Sequence, residues 1–434
     1  MIPTTRLIAL AAALAALGVL AAVWPALVMI CAAAGVLLAI AAGADALVAR
    51  AAQPVSAERV TPASAALGAW HRIRVKVHNH SGSPADLVFH DHHPARCEVR
   101  DLPQRVRIAP RAWAELGYEL KPLVRGDLDF GEIEMRAHSP LGLWERRIAS
   151  GAQASMRVYP NFAEISKYAL LATDDRLSQI GVLQRPRRGE GLEFHQLREY
   201  REGDMQRQID WKATSRTGKL ISREYQDERD QQIMFLIDCG RRLAAHDDAL
   251  SHFDHVLNAV LLLAYVSVRQ GDAAGFLTMS GHTRFMAPRK SGATVTAMLN
   301  QLYDLQPTLS TSDYYAAAVE LMTRLRKRTL VVIVSNLRDE DEDTLAPALA
   351  LLNRRHLVLF ASLREAILSR ALKTRVDSFD RALTYAATAD YLRNRELAFR
   401  RLARGGTQCL DVEPQELPIA LVNRYLDIKR ARLL

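Results

Sequence analysis

The chain opens on its longest hydrophobic stretch: residues 7–44 are 38 consecutive positions without a charge, bounded by Arg6 and Asp45. One helix of that length would reach about 57 Å, against roughly 30 Å of membrane hydrocarbon. Two transmembrane spans fit better, near 7–23 and 26–44, forming a hairpin within residues 1–50. Trp24-Pro25 suits the turn, since proline breaks a helix and tryptophan favours the membrane interface. A cleaved signal peptide is the rival reading, but its apolar core is several times shorter. Over 54–160 the pattern becomes short and alternating. Residues 72–78 alternate with period two, the mark of a half-buried strand. Further short runs at 85–90, 97–99, 105–108, 112–120, 131–137 and 156–158 are punctuated by Pro or Gly, which predicts a β-sandwich-like domain.

Residues 161–230 read as a connecting segment, helical at first over 161–184. Its second half is polar, yet it places Phe194, Leu197, Tyr200, Ile209, Trp211 and Tyr225 at regular intervals. That mixture predicts a folded stretch, with Trp211 and Tyr200 as packing anchors. Asp204 is the expected N-cap of a helix over 205–215 and Gly218 its stop, followed by an extended run over 219–225. From 231 to 434 the period changes again. Strands are expected at 232–238, 273–280, 283–287, 329–335, 357–362 and 407–412. Helices are expected at 253–269, 293–305, 313–326, 341–353, 384–404 and 414–430. About six strands interleaved with helices predict a doubly wound α/β sheet.

Charge narrows the function classes. The formal net charge is +9, and residues 354–434 alone carry sixteen Lys/Arg against nine Asp/Glu. Such a surplus suits anionic lipid, an acidic partner or a solvated helix face alike. Residues 187–230 hold ten basic and ten acidic side chains. That balance argues against a nucleic-acid surface and for an ion-paired network. Arg6, Arg50 and Arg59 flank the apolar stretch while its turn is uncharged, which places both ends in the cytoplasm. The expected location is therefore the inner (cytoplasmic) membrane, with the soluble domains in the cytoplasm. Cys31, Cys97, Cys239 and Cys409 show no metal or redox spacing. His90-Asp91-His92-His93 invites a metal reading, but alternate positions of an extended chain face apart and no second ligand cluster follows. It reads as a solvated loop.

One stretch carries a longer pattern: Arg198-Glu199-Tyr200, Gly203-Asp204, Arg207, Ile209-Asp210-Trp211 and Ala213-Thr214-Ser215-Arg216. It resembles the signature of the domain of unknown function 58 family, R-E-Y-x-x-G-D-x-x-R-x-I-D-W-x-x-[ST]-[AS]-R. The segments Val124-Arg125-Gly126-Asp127 and Ser139-Pro140-Leu141-Gly142-Leu143-Trp144 resemble the same family's β region, with Ser139 where Asp is usual. The resemblance implies a von Willebrand factor A-like domain at 231–434. It also implies a MoxR-type AAA+ ATPase as partner, and a role in complex assembly or envelope processes.

Domains of the von Willebrand A type usually hold a divalent cation beyond the strand ends, with an Asp-x-Ser-x-Ser motif, a later Thr and a later Asp. Oxygen ligands of that kind suit Mg²⁺. Here Asp238 is present, but Gly240 and Arg242 replace the two serines, and Asn336 stands where the later Asp is expected. Thr311 or Ser312 offers the hydroxyl. A degenerate metal site without a cofactor is the expectation, with Asp238 paired to Arg242 or to an arginine of the signature. No phosphate loop, zinc-protease motif or nucleophile elbow occurs. Glu199 and Asp210 are the carboxylates that acid/base chemistry would use, and ion pairing is the other account of them. The reading is a membrane-anchored protein-interaction scaffold or adaptor that is not an enzyme. The alternatives are a hydrolase near Asp238 and a basic lipid or nucleic-acid binder.

Overall fold

Uncharged, alanine- and leucine-rich sequence favours helix, and the computed structural model begins with two: α1 (Thr5–Val23) and α2 (Val28–Ala51). A 3₁₀ turn, Pro25–Leu27, separates them. Both are long and apolar enough to cross a membrane. The second runs further than the expected span, past Asp45 and Arg50. The reason is local: the Asp45 carboxylate is buried and accepts hydrogen bonds from Ser139 Oγ and from the N–H groups of Leu141 (3.0 Å) and Leu143 (3.3 Å). Thr4, the N-cap of α1, donates its hydroxyl to the Gly142 carbonyl at 2.7 Å. Both helix ends are thus tied to the loop at 139–144. Ser139 both donates to Asp45 and accepts from the Trp144 N–H at 2.9 Å.

The described residues are 1–51, 55–151, 153–161, 193–201, 206, 209–226, 231–247, 250–281, 283–338 and 341–433. The expected helix over 161–184 lies outside them, as do Gly203, Asp204 and Arg207 of the signature. The chain divides into two compact units, Met1–Tyr159 and Pro160–Leu434.

In the first unit, strands β1 (Ile2–Pro3), β2 (Val55–Val60), β3 (Ser64–Ala66), β4 (His71–Asn79), β5 (Ala85–Asp91) and β6 (Cys97–Arg100) are followed by six more. These are β7 (Gln104–Ile108), β8 (Trp113–Pro122), β9 (Gly126–Phe130), β10 (Ile133–His138), β11 (Trp144–Ser150) and β12 (Ala154–Tyr159). They form three sheets, of order β1-β11-β10-β5-β7, β2-β4-β8-β6 and β3-β12-β9. Alternation does what the sequence pattern demands: Ile73, Val75 and Val77 of β4 are buried, as are Leu87 and Phe89 of β5.

Two of the sheets share a buried ion pair. Asp91, on β5, pairs with the Arg59 guanidinium of β2 and accepts from the Tyr118 hydroxyl of β8 at 2.7 Å. Arg59 also donates to the Gly131 carbonyl at 2.7 Å. Burial and the neighbouring carboxylate push the Tyr118 hydroxyl far above its ordinary pKa, so it remains a donor. This corrects the solvated-loop reading of 90–93: His90 and Asp91 end a strand, and Asp91 lies in the interior. Loop composition at the surface looks the same as a strand end whose polar groups find partners inside. His92 follows, 3.2 Å from Glu134.

The second unit contains an antiparallel pair, β13 (Glu193–Glu199) and β14 (Ile221–Gln226), with α3 (Trp211–Thr217) between them. The six-stranded sheet follows: β15 (Gln232–Asp238), β16 (Ala273–Met279), β17 (Phe285–Arg289), β18 (Leu330–Ser335), β19 (Leu357–Leu363) and β20 (Gln408–Val412). Its order is β17-β16-β15-β18-β19-β20, parallel except for the β16–β17 pair. Helices cover both faces: α4 (His252–Arg269), α5 (Thr294–Leu302), α6 (Tyr314–Arg324), α7 (Glu342–Asn353), α8 (Ala366–Lys373), α9 (Phe379–Arg404) and α10 (Leu417–Arg430). Side chains of α4, α5 and α10 build the core on one face, and those of α6, α7 and α9 the core on the other. Helix α8 has no counterpart among the expected elements, and α9 starts five residues earlier than expected because Ser378 caps it through the Arg381 N–H.

Asp91→Ala leaves Arg59 charged in an apolar interior, so the first unit should lose about 3–5 kcal/mol. Chemical denaturation of the purified protein measures this. Replacing Arg59 and Asp91 together by Met and Leu should cost markedly less.

Candidate functional site at the strand ends

In an open α/β sheet, ligand-facing crevices lie beyond the carboxyl ends of the strands, where the strand order reverses. Here the chain runs outward from β15 to β16 and β17 on one side, then returns to β18, β19 and β20 on the other. The reversal falls between β15 and β18. Asp238 ends β15 there, and Ser335 ends β18.

Asp238 is fully buried. One carboxylate oxygen accepts from the Gly240 N–H at 2.8 Å and from Ser312 Oγ at 2.7 Å. The other accepts from Ser335 Oγ at 2.5 Å. Ser335 Oγ in turn lies 2.8 Å from the Tyr314 hydroxyl. Burial, with the Asp238 carboxylate next, pushes the Tyr314 hydroxyl well up, so it stays protonated. Gly240 has a steric reason to be glycine: a Cβ there would stand 2.8 Å from Ser312 Oγ, 2.9 Å from the Ser310 carbonyl and 3.0 Å from Asp238. Of the two hydroxyl candidates, Ser312 reaches the carboxylate, while Thr311 is exposed.

The expected pairing of Asp238 with an arginine is corrected. Arg242 pairs with Asp341 instead and donates to the Asn336 carbonyl at 3.4 Å. Hydroxyls reach a deep carboxylate at smaller desolvation cost than a guanidinium does. Asn336 lies alongside, its amide donating to Glu365 at 2.8 Å.

Arg395, on α9, is the residue that reading the sequence missed. It is buried and donates to the carbonyls of Leu337 and Leu363, to Ser362 Oγ at 2.6 Å, to Asn336 Oδ1 at 3.1 Å and to Asp411 at 2.8 Å. One guanidinium thus ties together the carboxyl ends of β18, β19 and β20. Its sequence signal is an arginine at position i of a helix face whose i+3 and i+7 positions are Ala398 and Leu402, both buried.

The signature stretch is organised by ion pairs of its own. Among the described residues, Asp210 caps the helix, accepting from the N–H groups of Lys212 and Ala213 at 3.0 Å each. Helix α3 therefore begins at Trp211 and ends where expected, at Gly218 with φ of 67°. Arg223, 2.9 Å away, and these backbone donors hold the Asp210 carboxyl below its ordinary pKa. Lys219 does the same for Glu199 at 2.7 Å. Arg198 donates to the Glu199 carbonyl at 3.1 Å, and the Tyr200 N–H to the Leu220 carbonyl at 2.9 Å. Arg216 is exposed in the last turn. Trp211 is not the expected packing anchor: it is 67 % exposed, and Leu197 and Leu220 are exposed too.

Residues 196–376, which run from the signature through β19 to α8, match the family described as Protein of unknown function DUF58. It is this stretch of the chain that is DUF58-like. A relative from Bacillus subtilis (strain 168), Uncharacterized protein YeaD, is 24 % identical over 185 residues, 41 % of this chain and 42 % of that protein. The match therefore takes in less than half of the relative's length. Among solved structures, an aerotolerance-related membrane protein from Bacteroides fragilis NCTC 9343 is 12 % identical, with a TM-score of 0.31, over 46 % of this chain and 99 % of that one. Native alpha-2-macroglobulin from Escherichia coli is 23 % identical, with a TM-score of 0.22, over 25 % of this chain and 17 % of that one. Likenesses at these scores are local and carry no functional argument.

Asp238→Ala should strand Ser335, Ser312 and the Gly240 N–H, costing about 1–3 kcal/mol. Gly240→Ala should cost a similar amount, about 1–3 kcal/mol, by overpacking. Because both act on one cluster, the double variant should fall short of the sum. Thermal denaturation of the three variants checks this.

Proposed function

We propose that this DUF58 protein is a membrane-anchored scaffold or adaptor that works by binding another protein, without catalysis of its own. The observation that carries the reading is the state of the strand-end carboxylate: the three hydrogen bonds to Asp238 come from the protein itself. Gly240 leaves no room for a hydroxyl-bearing side chain, and the Arg242–Asp341 ion pair stands beside Asn336. That donor set does not suit a divalent cation, which needs free oxygen ligands and no adjacent guanidinium. The sheet order, with β15 central and its loop facing those of β18 and α6, supports a von Willebrand factor A-like reading in which the metal centre has become an internal hydrogen-bond cluster.

The carboxylates available for acid/base work support the same conclusion. Glu199 and Asp210 are each held ionised by a cation, the opposite of what a general acid requires. The two N-terminal helices supply the anchor, and their flanking arginines favour a cytoplasmic position for the soluble parts. For a partner, the family resemblance favours a MoxR-type AAA+ ATPase. Trp211, exposed on the signature helix, is the side chain best suited to anchor such a contact, since tryptophan is enriched at interface hot spots.

Affinity capture of the intact, detergent-solubilised protein from its native cells, with and without ATP and Mg²⁺, tests this. The expected outcome is recovery of an AAA+ ATPase that falls at least about tenfold with Trp211→Ala. The melting temperature of that variant should stay unchanged, because the side chain is exposed. Capture of nucleic acid or lipid without a protein partner would overturn the adaptor reading.

A further inference from the structure

Helix α8 and the start of α9 carry charges and apolar side chains that the fold leaves unused. Residues 366–376 contain Arg370, Lys373 and Arg375 and no acidic residue. All three basic side chains are exposed, and they make no hydrogen bond or ion pair with the described residues. The acids flanking them in sequence are already engaged: Glu365 by Asn336 and Arg338, and Asp377 by Arg381. Arg370 and Lys373, with Ser369, line a hollow of about 210 Å³ bordered by His255, Asp247 and Glu413. Asp247 is taken there by His252 at 2.9 Å and by the Ala366 N–H at 3.0 Å.

Large apolar side chains stand exposed beside these cations. Ile367 is 63 % exposed, Val376 49 %, Phe379 82 % and Leu383 61 %. Phe379 and Leu383 are four apart on α9 and so share a face. An exposed aromatic of this kind, with aliphatics and free cations on a short amphipathic helix, is the composition that partitions into a lipid interface.

We propose that α8 and the first turns of α9 dock on an anionic phospholipid surface. Arg370, Lys373 and Arg375 meet the phosphates, and Ile367, Val376, Phe379 and Leu383 enter the acyl boundary. The partner is fixed by charge complementarity and by the chain's own two membrane-length helices, which hold it at a bilayer. Each cation at an anionic leaflet raises partitioning about fivefold, so three raise it about a hundredfold. The docking rests on the membrane anchoring but not on any ATPase.

Hydrogen–deuterium exchange of the full chain in nanodiscs decides it, comparing phosphatidylcholine with phosphatidylglycerol discs. The expected result is exchange over 366–383 slowed at least about tenfold in phosphatidylglycerol only, with the protection lost at high salt. Arg370→Glu/Lys373→Glu/Arg375→Glu should abolish it. Phe379→Ser, at a side chain 82 % exposed, should weaken it while leaving exchange elsewhere unchanged. Equal exchange in both discs, or protection that survives the triple reversal, would overturn the docking. Protection that appears only when a protein partner is added would also overturn it. A chain that does not co-elute with either disc would instead overturn the anchoring, a separate failure.

Discussion

A carboxylate taken out of water must be met by donors, and buried aspartates, Asp45, Asp91 and Asp238 among them, impose that demand on this protein. Each gathers a different region. Asp45, late in a membrane-length helix, collects Ser139 and two N–H groups of the 139–144 loop. Asp91 collects Arg59 and Tyr118, so two sheets share one ion pair. Asp238 collects Gly240, Ser312 and Ser335 where the C-terminal sheet reverses its strand order. The apolar cores would accept many hydrophobic sequences of similar volume. These polar clusters accept few, because removing one partner strands the others.

The Asp238 and Arg395 clusters give the strand-end face its character. An open sheet offers a crevice there, and side chains of this chain fill it. Arg395 closes the β18–β20 side with bonds to two carbonyls, a serine, an asparagine and an aspartate. Around Asp238 and Arg395 the polar groups of this face are spent on one another. On the adaptor reading proposed above, such a face would present its surrounding loops to a partner.

The ion pairs of the signature stretch do related work at the surface. Glu199–Lys219 and Asp210–Arg223 fix the β13–β14 pair and the start of α3. At such exposure each is worth little in stability. Their value is geometric: Asp210 also caps α3, so its pairing with Arg223 ties the helix start to β14.

Local periodicity determined a great deal here. The 38 uncharged positions specify two membrane-length helices, alternation over 72–78 specifies β4, and the apolar run at 232–238 specifies β15 with Asp238 at its end. These are near-neighbour properties, set by helix and strand geometry alone, so they can be read along the chain. The stop at Gly218 belongs with them. Partner choice does not. Ser312 and Ser335 lie 74 and 97 residues from Asp238, and no period connects them. With ten bases and ten acids over 187–230, the sequence cannot say which carboxylate caps α3; the fold selects Asp210 by placing Arg223 and two N–H groups around it. Arg242 meets Asp341 for the same reason, and Asp91 turns inward although its neighbours read as a loop. Burial of a charge is settled only when distant donors converge on it, and that convergence belongs to the tertiary structure.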